Sequence, residues 1–318
     1  MTEGDLSRAL RLVTSLPEPA FLRIGYEPAL WAERALDVAP PDHPLLAAAA
    51  GFAARGAWIR ADHVAARAWA NRAEGRLPGR GNGRIAYPGD VLADVALYEG
   101  DAETALRHYD AEVARARAED DPIRLVWTLF YKAICHAALR NPDSGLQAAE
   151  EACGVAETTA NPTARSMAYY ALGLVFKKSQ ADRALALFDE AAELASSAHN
   201  FWWHGIALME AASTRAVHGD PNTAASDFIA VLDHWDRVGD WSQQWLNLRY
   251  VTRLLVRLGA DEDAAVLHHA LVEAGKPSPL SQTQIVRLGT GMQAPRAEAL
   301  TGADAVARAR ASLRRLSL

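Results

Sequence analysis

Apolar residues recur along this chain at helical spacing, with Ala, Leu, Arg and Glu the common types, and β-branched residues rarely alternate with polar ones. The pattern predicts an all-α protein. A loop signature, followed by a small residue that opens a second helix, recurs six times. The copies are Arg60-Ala61-Asp62 leading to Ala65, Gly100-Asp101-Ala102-Glu103 to Ala105, Asn141-Pro142-Asp143 to Gly145, Gln180-Ala181-Asp182 to Ala184, Gly219-Asp220-Pro221 to Ala224, and Gly259-Ala260-Asp261 to Ala264. Successive anchors lie 39 or 40 residues apart. Gly or Asn ends a helix in a left-handed conformation, Asp or Asn caps the next, and Pro fits its first turn. Each copy therefore predicts a helix, a tight turn and a second helix.

Four residues beyond each anchor stands Trp69, Tyr109, Ala149, Phe188, Phe228 or His268. The small anchor is expected to let the paired helices approach closely while the following side chain interlocks the next element. One such pair cannot bury its apolar face alone, so stability must come from stacking successive pairs into a superhelix with a concave and a convex side.

These residues resemble tetratricopeptide repeats, in which a small residue lies mid-way along the first helix, Gly at the turn, Ala at the start of the second helix and an aromatic four residues on. Ala171-Leu172-Gly173 with Phe176, Ala184, Phe188 and Ala191 matches that pattern best, and the interval of about 40 residues exceeds the usual 34. The ends narrow the likeness. Residues 10–16 with Arg23-Ile24-Gly25 and residues 31–36, and at the other end residues 274–280 and 311–318, are similar to the repeat region of large actinobacterial regulators, the LuxR-type and AfsR-type signal-transduction ATPases with numerous domains. The resemblance implies a right-handed solenoid. Its expected divisions are an N-terminal helical pair at 1–38, six repeats at 39–275 and capping helices at 276–318.

In such regulators the catalytic and DNA-binding parts lie outside the repeats. No GxxxxGK[ST] phosphate loop occurs here, because the only Gly-Lys pair, Gly275-Lys276, runs into Pro277. A fragment or a stand-alone repeat protein is expected. Carrying the repeat geometry over residue by residue places Tyr87, Asp90, Asp94, Trp127, Phe130, Tyr170, Lys177, Met209, Arg249 and Arg253 on the groove side of the first helices. An aromatic groove with acids at one end and arginines at the other would suit a peptide or amphipathic helix.

Charge and composition narrow the function. The chain has 318 residues, a formal net charge of −6, and 50% hydrophobic against 23% charged residues. That balance removes the field a general nucleic-acid binder needs, so no direct nucleic-acid partner is expected. The tail from Arg287 to Arg315 is locally basic, with Arg287, Arg296, Arg308, Arg310, Arg314 and Arg315 against Glu298 and Asp304. It reads as an amphipathic capping helix with a solvated basic face, or as a surface for an acidic partner. Cys135 and Cys153 are too few for a disulfide framework, and with no leader-like N-terminus and no long apolar run the expected location is the cytoplasm, without a membrane span.

Catalytic signatures are sparse. His268 and His269 are adjacent and His199 and His204 are five apart, spacings that miss one-face chelation, so neither metal nor cofactor is expected. GxSxG is absent, and the pairs Asp120-Asp121 and Glu150-Glu151 read as solvated charge. Trp202, Trp203, Trp235, Trp241 and Trp245 crowd one stretch and read as inter-repeat filling or as an exposed interface. The expectation is a non-catalytic module that binds a protein or peptide, other domains of the same regulator included, or senses an effector. A passive scaffold that self-associates through the tryptophans is the alternative, and a homo-oligomer fits either.

Overall fold

The computed structural model describes residues 3–23, 25–79, 85–290 and 300–317, with Glu3 and Thr290 described in their backbone only. Seventeen α-helices and no strand occur among them. By compactness the chain divides into unit 1, Met1–His204, and unit 2, Gly205–Leu318.

All six turn signatures join two helices. In unit 1 the pairs are α4 (Leu46–Ile59) with α5 (His63–Asn71), α6 (Pro88–Glu99) with α7 (Ala102–Ala118), α8 (Pro122–Ala138) with α9 (Pro142–Thr159), and α10 (Pro162–Phe176) with α11 (Ala181–Ser197). In unit 2, α12 (Phe201–His218), whose first turn belongs to unit 1, pairs with α13 (Pro221–Val238), and α14 (Trp241–Arg257) pairs with α15 (Asp261–Glu273). Ahead of the pairs come α1 (Glu3–Thr14), α2 (Pro17–Leu22) and α3 (Glu27–Leu36); after them come α16 (Gln282–Thr290) and α17 (Gly302–Leu316).

The expected end-chemistry is present in part. Gly100 and Gly259 take left-handed φ values of 97° and 74°, but Ala61 and Arg140 occupy the same conformation without being glycine. Asp62, Asp101 and Asp220 cap the following helices, accepting from the amides of Ala65, Thr104 and Thr223 at 2.9, 3.0 and 2.9 Å. A second series of turns joins one pair to the next. Asp120, Ala160, His199 and Gly239 are left-handed, and each precedes a capping residue, Asp121, Asn161, Asn200 or Asp240. Those side chains accept from Arg124, Thr163, Trp203 and Gln243. This series also repeats every 39 or 40 residues, so both ends of the first helices are punctuated at one period.

Packing between paired helices sets a small residue against an aromatic one. A Cβ on Gly173 would stand 2.7 Å from the Phe188 ring, and one on Gly205 would meet His234 at 2.4 Å and Trp235 at 2.7 Å. Contacts that short exclude even a methyl group unless the ring moves. The anchors Ala105, Ala184, Ala224 and Ala264 are fully buried. At the first pair the register is shifted by one, because Ala66 and Ala70 are buried while Ala65 and Trp69 are half-exposed. The last pair buries Leu267 and Leu271, leaving His268 half-exposed with Nε2 2.9 Å from Ser278 Oγ.

In unit 1, α1, α3 and α4 share an Ala- and Leu-rich cluster that includes Leu10, Leu36, Leu46 and Phe52. α4 is buried along its whole length, and Gly51 on it lets the Ala86 carbonyl approach where a Cβ would clash at 1.9 Å. In unit 2, α17 packs against α13, α14 and α15. Its basic side chains face carboxylates of the same chain: Arg310 binds Asp233 at 2.8 Å, and Arg308 and Arg315 both bind Asp263. Arg308 and Arg315 stay solvated as expected, and the acidic surface that all three arginines meet belongs to α13 and α15 of the same chain. Arg287 likewise binds Asp261; Arg296 and Glu298 lie outside the described residues.

Substituting Gly173→Ala is expected to destabilise the protein by about 1–3 kcal/mol, because the added methyl must displace the Phe188 ring in a close-packed interface. Urea unfolding of the variant against the parent reads this directly; unchanged stability would mean that the α10/α11 contact is looser than described.

Candidate functional site: an aromatic and ion-pair face in unit 1

Ten residues were expected to line a groove, and seven of them lie on the first helices of unit 1 or at their ends. Asp90 and Asp94 are one turn apart on α6 and both are buried. Asp90 is held by a two-pronged bond from Arg124, Nη1 to Oδ2 at 2.5 Å and Nη2 to Oδ1 at 2.8 Å, and His108 Nε2 lies 2.8 Å from Oδ1. Arg124 also reaches Glu112 at 2.5 Å, and its guanidinium sits 4.1 Å above the ring of Tyr87, the half-buried N-cap residue of α6. Asp94 accepts from Arg55 Nη1 at 2.6 Å, from Tyr109 Oη at 2.7 Å and from Tyr131 Oη at 3.3 Å.

The two carboxylates respond oppositely to this setting. Burial acts to raise both pKa values. At Asp90 the two-pronged Arg124 bond and His108 overcome it and hold the carboxyl well below its ordinary range. Asp94 has one guanidinium bond, two phenols and the neighbouring Asp90 charge, so desolvation prevails and its pKa is raised. Burial also pushes the phenols of Tyr109 and Tyr131 well up, which keeps them as donors to Asp94.

Next along the face the groups turn aromatic. Trp127 on α8 meets Tyr131 at 5.3 Å between centroids and Trp203 at 6.0 Å, edge to face. Phe130 packs against Trp203 at 4.7 Å and Tyr170 at 5.5 Å. Tyr170 in turn reaches Phe188. Trp127 and Phe130 are 3% and 1% exposed, so neither presents a free surface. What covers Trp127 is the chain itself. Phe21 of α2 stands 6.4 Å from the Trp127 ring and 4.7 Å from the Trp202 ring, with the Arg55 guanidinium 5.6 Å from its own centroid. Ala20, its neighbour, joins the N-terminal cluster instead, so α2 bridges that cluster and the aromatic face. Phe21 was not among the expected groove residues, and only its place beside an apolar Ala in a Pro-flanked stretch hinted at burial.

The remaining expected residues do not join this face. Lys177 is half-buried at the C-terminal end of α10. In unit 2, Met209 is fully buried, Arg249 is half-buried and Arg253 is exposed. The expected groove positions Asp90, Phe130, Tyr170 and Met209 are thus interior, because the first helices turn that side chain toward their own neighbours. Of the tryptophan-rich stretch, Trp202, Trp203, Trp235 and Trp245 are buried and Trp241 is half-buried, which makes it core rather than an exposed surface. Both thiols are pushed up by burial, Cys135 to about 12 and Cys153 to about 11. Among the described residues no group of three His, Cys, Asp or Glu is placed to hold a metal ion, and no helix is long and apolar enough to cross a membrane.

Neither a family model nor a curated protein matches this chain.

Replacing Asp90 by Asn leaves Arg124 buried with a weaker partner and is expected to cost about 3–5 kcal/mol at neutral pH. Because the folded-state pKa of Asp90 lies below its unfolded value of 3.8, its contribution is complete above that pH and is lost as pH falls through and below it. Urea midpoints measured from pH 6 down to pH 2 should therefore fall more steeply for the parent than for D90N; parallel curves would remove the ion pair from this account.

Proposed function

We propose that this chain is a non-catalytic, tetratricopeptide-like superhelical module, the interaction or effector-sensing arm of a cytoplasmic signal-transduction regulator, and that its docking face is the α8/α12 aromatic surface of unit 1. One observation carries the reading: Phe21 is seated on Trp127 and Trp202 beneath Arg55. The chain thereby supplies an example of what that surface holds, an aromatic side chain on a short helix, anchored by ring contacts and a guanidinium. Helix-in-surface recognition uses anchors of this kind. A partner segment of similar chemistry would compete with α2, so docking would be conditional on release of α2 and would couple partner binding to the position of the N-terminal helices. The six regular helix pairs support the repeat assignment, and the likeness of the chain ends to the repeat region of actinobacterial ATPase regulators supports the regulatory context. A scaffold joined through exposed tryptophans draws no support from side chains that are buried.

Phe21→Ala is expected to leave the helix pairs folded by circular dichroism while vacating the seat. A fluorescently labelled peptide of residues 15–25 should then bind the F21A chain at least tenfold more tightly than the parent chain, measured by anisotropy. Equal binding to both, or no binding to a folded F21A chain, would contradict the reading.

A further inference from the structure

Unit 2 carries an arrangement that the docking face does not explain. Arg249, Arg253 and Arg257 follow one another at four-residue intervals and so share one side of α14. Three like charges in such a row repel one another along the helix. Arg253 and Arg257 line a pocket of about 180 Å³. Its accessible apolar surface comes from Val217 and Ala216 near the end of α12, above the fully buried Phe228 and Leu254; Ser213 and Tyr250 complete it.

The hydrogen-bond acceptors of the two arginines are backbone carbonyls, although the Asp220 carboxylate is near enough to Arg257 to feel its charge. Arg253 donates from Nε to the Pro279 carbonyl at 2.9 Å, and its guanidinium lies 6.0 Å from the Tyr250 ring. Arg257 donates from Nη1 to the Ala216 carbonyl and from Nη2 to that of Gly219 at 3.4 Å. Among the described residues neither guanidinium group forms a salt bridge. The carboxylates around them have other work: Glu210 accepts from Tyr250 Oη at 2.7 Å, Asp227 pairs with Arg215 at 3.0 Å, and Asp220 caps α13. Elsewhere in unit 2, Arg287, Arg308, Arg310 and Arg315 each have an acidic partner. The pocket thus joins positive charge lacking a bound carboxylate to an apolar recess.

We propose that this pocket binds a small organic carboxylate with an apolar body, the carboxylate on Arg253 and Arg257 and the body against Val217 and Ala216. Arginine suits the task because its planar fork matches a carboxylate and remains charged. The volume is comparable to that of a cavity which accepts one benzene ring, so a phenyl ring with a short acidic tail fits the scale. This site is independent of the Phe21 seat, and either could fail alone.

The probe is 3-phenylpropionate, titrated calorimetrically into the full chain, with 3-phenylpropan-1-ol and inorganic phosphate as comparators. Saturable binding of the acid, at least tenfold tighter than either comparator, is expected. Arg253→Ala, at an exposed side chain, should keep the fold by circular dichroism and weaken the acid by roughly tenfold or more, as loss of a charge-assisted bond does. Ala216→Leu should weaken it by filling the recess. Absence of saturable binding to the folded parent at concentrations on the order of 10 mM, equal binding of the alcohol or of phosphate, or an unchanged affinity in folded R253A would each overturn the proposal.

Discussion

A pair of helices cannot hide its apolar side unless a neighbour lies close, and close approach needs a missing side chain. That constraint governs this protein. Gly173 receives the Phe188 ring, Gly205 receives His234 and Trp235, and Gly51 receives the Ala86 carbonyl, each at a distance that a Cβ would forbid. With small residues on one helix and rings on its partner, the α10/α11 and α12/α13 pairs close tightly on one another. The alternation also explains the composition: alanines line the contacts, and the large rings gather where four or five helices converge.

Convergence has an electrostatic cost that is offset locally. α6 brings two aspartates into the interior of unit 1, and two buried arginines from different pairs, Arg55 on α4 and Arg124 on α8, meet them there. A buried pair of this kind adds little net stability over an apolar contact, but it penalises any register that separates the partners. The same arginines then turn their faces to aromatic rings, Arg124 to Tyr87 and Arg55 to Phe21 and Trp58. Ion pairs and ring contacts therefore form one continuous set, which Phe21 of α2 joins through Arg55 and Trp127. The N-terminal helices are tied to the helix pairs at the place where partner docking is proposed, so that proposal turns on the position of α2.

The all-helical class and the six turns were legible because backbone geometry demands particular residues at those points: Asp62, Asp101 and Asp220 cap as their chemistry requires. The second series of turns was missed although it has the same period. Its left-handed residues are Asp120, Ala160, His199 and Gly239, so a glycine marks only the last, and elsewhere only the following Asp or Asn carries the signal. Which side of a first helix faces inward was also not legible. A rotation of one residue moves Phe130 or Met209 from a groove to the core, and helical periodicity tolerates that ambiguity when both sides are apolar. Phe21 illustrates a different limit: its ring partners, Trp127 and Trp202, lie more than a hundred residues away, so nothing local distinguishes it from any other apolar residue. The basic tail showed its charge in sequence but not that Asp233 and Asp263 of the same chain would meet it.

Hydrogen exchange on the unmodified chain tests the central claim, that α2 is a separable cover over the aromatic face, most directly. Amides that open only with global unfolding exchange together, whereas a locally released segment exchanges earlier. The account predicts that the amides of α2 exchange at least a hundredfold faster than those of α8, with the rest of unit 1 still protected. Exchange of α2 at the same rate as α8 would mean that Phe21 is a fixed part of the core, and that the surface beneath it is never offered to a partner.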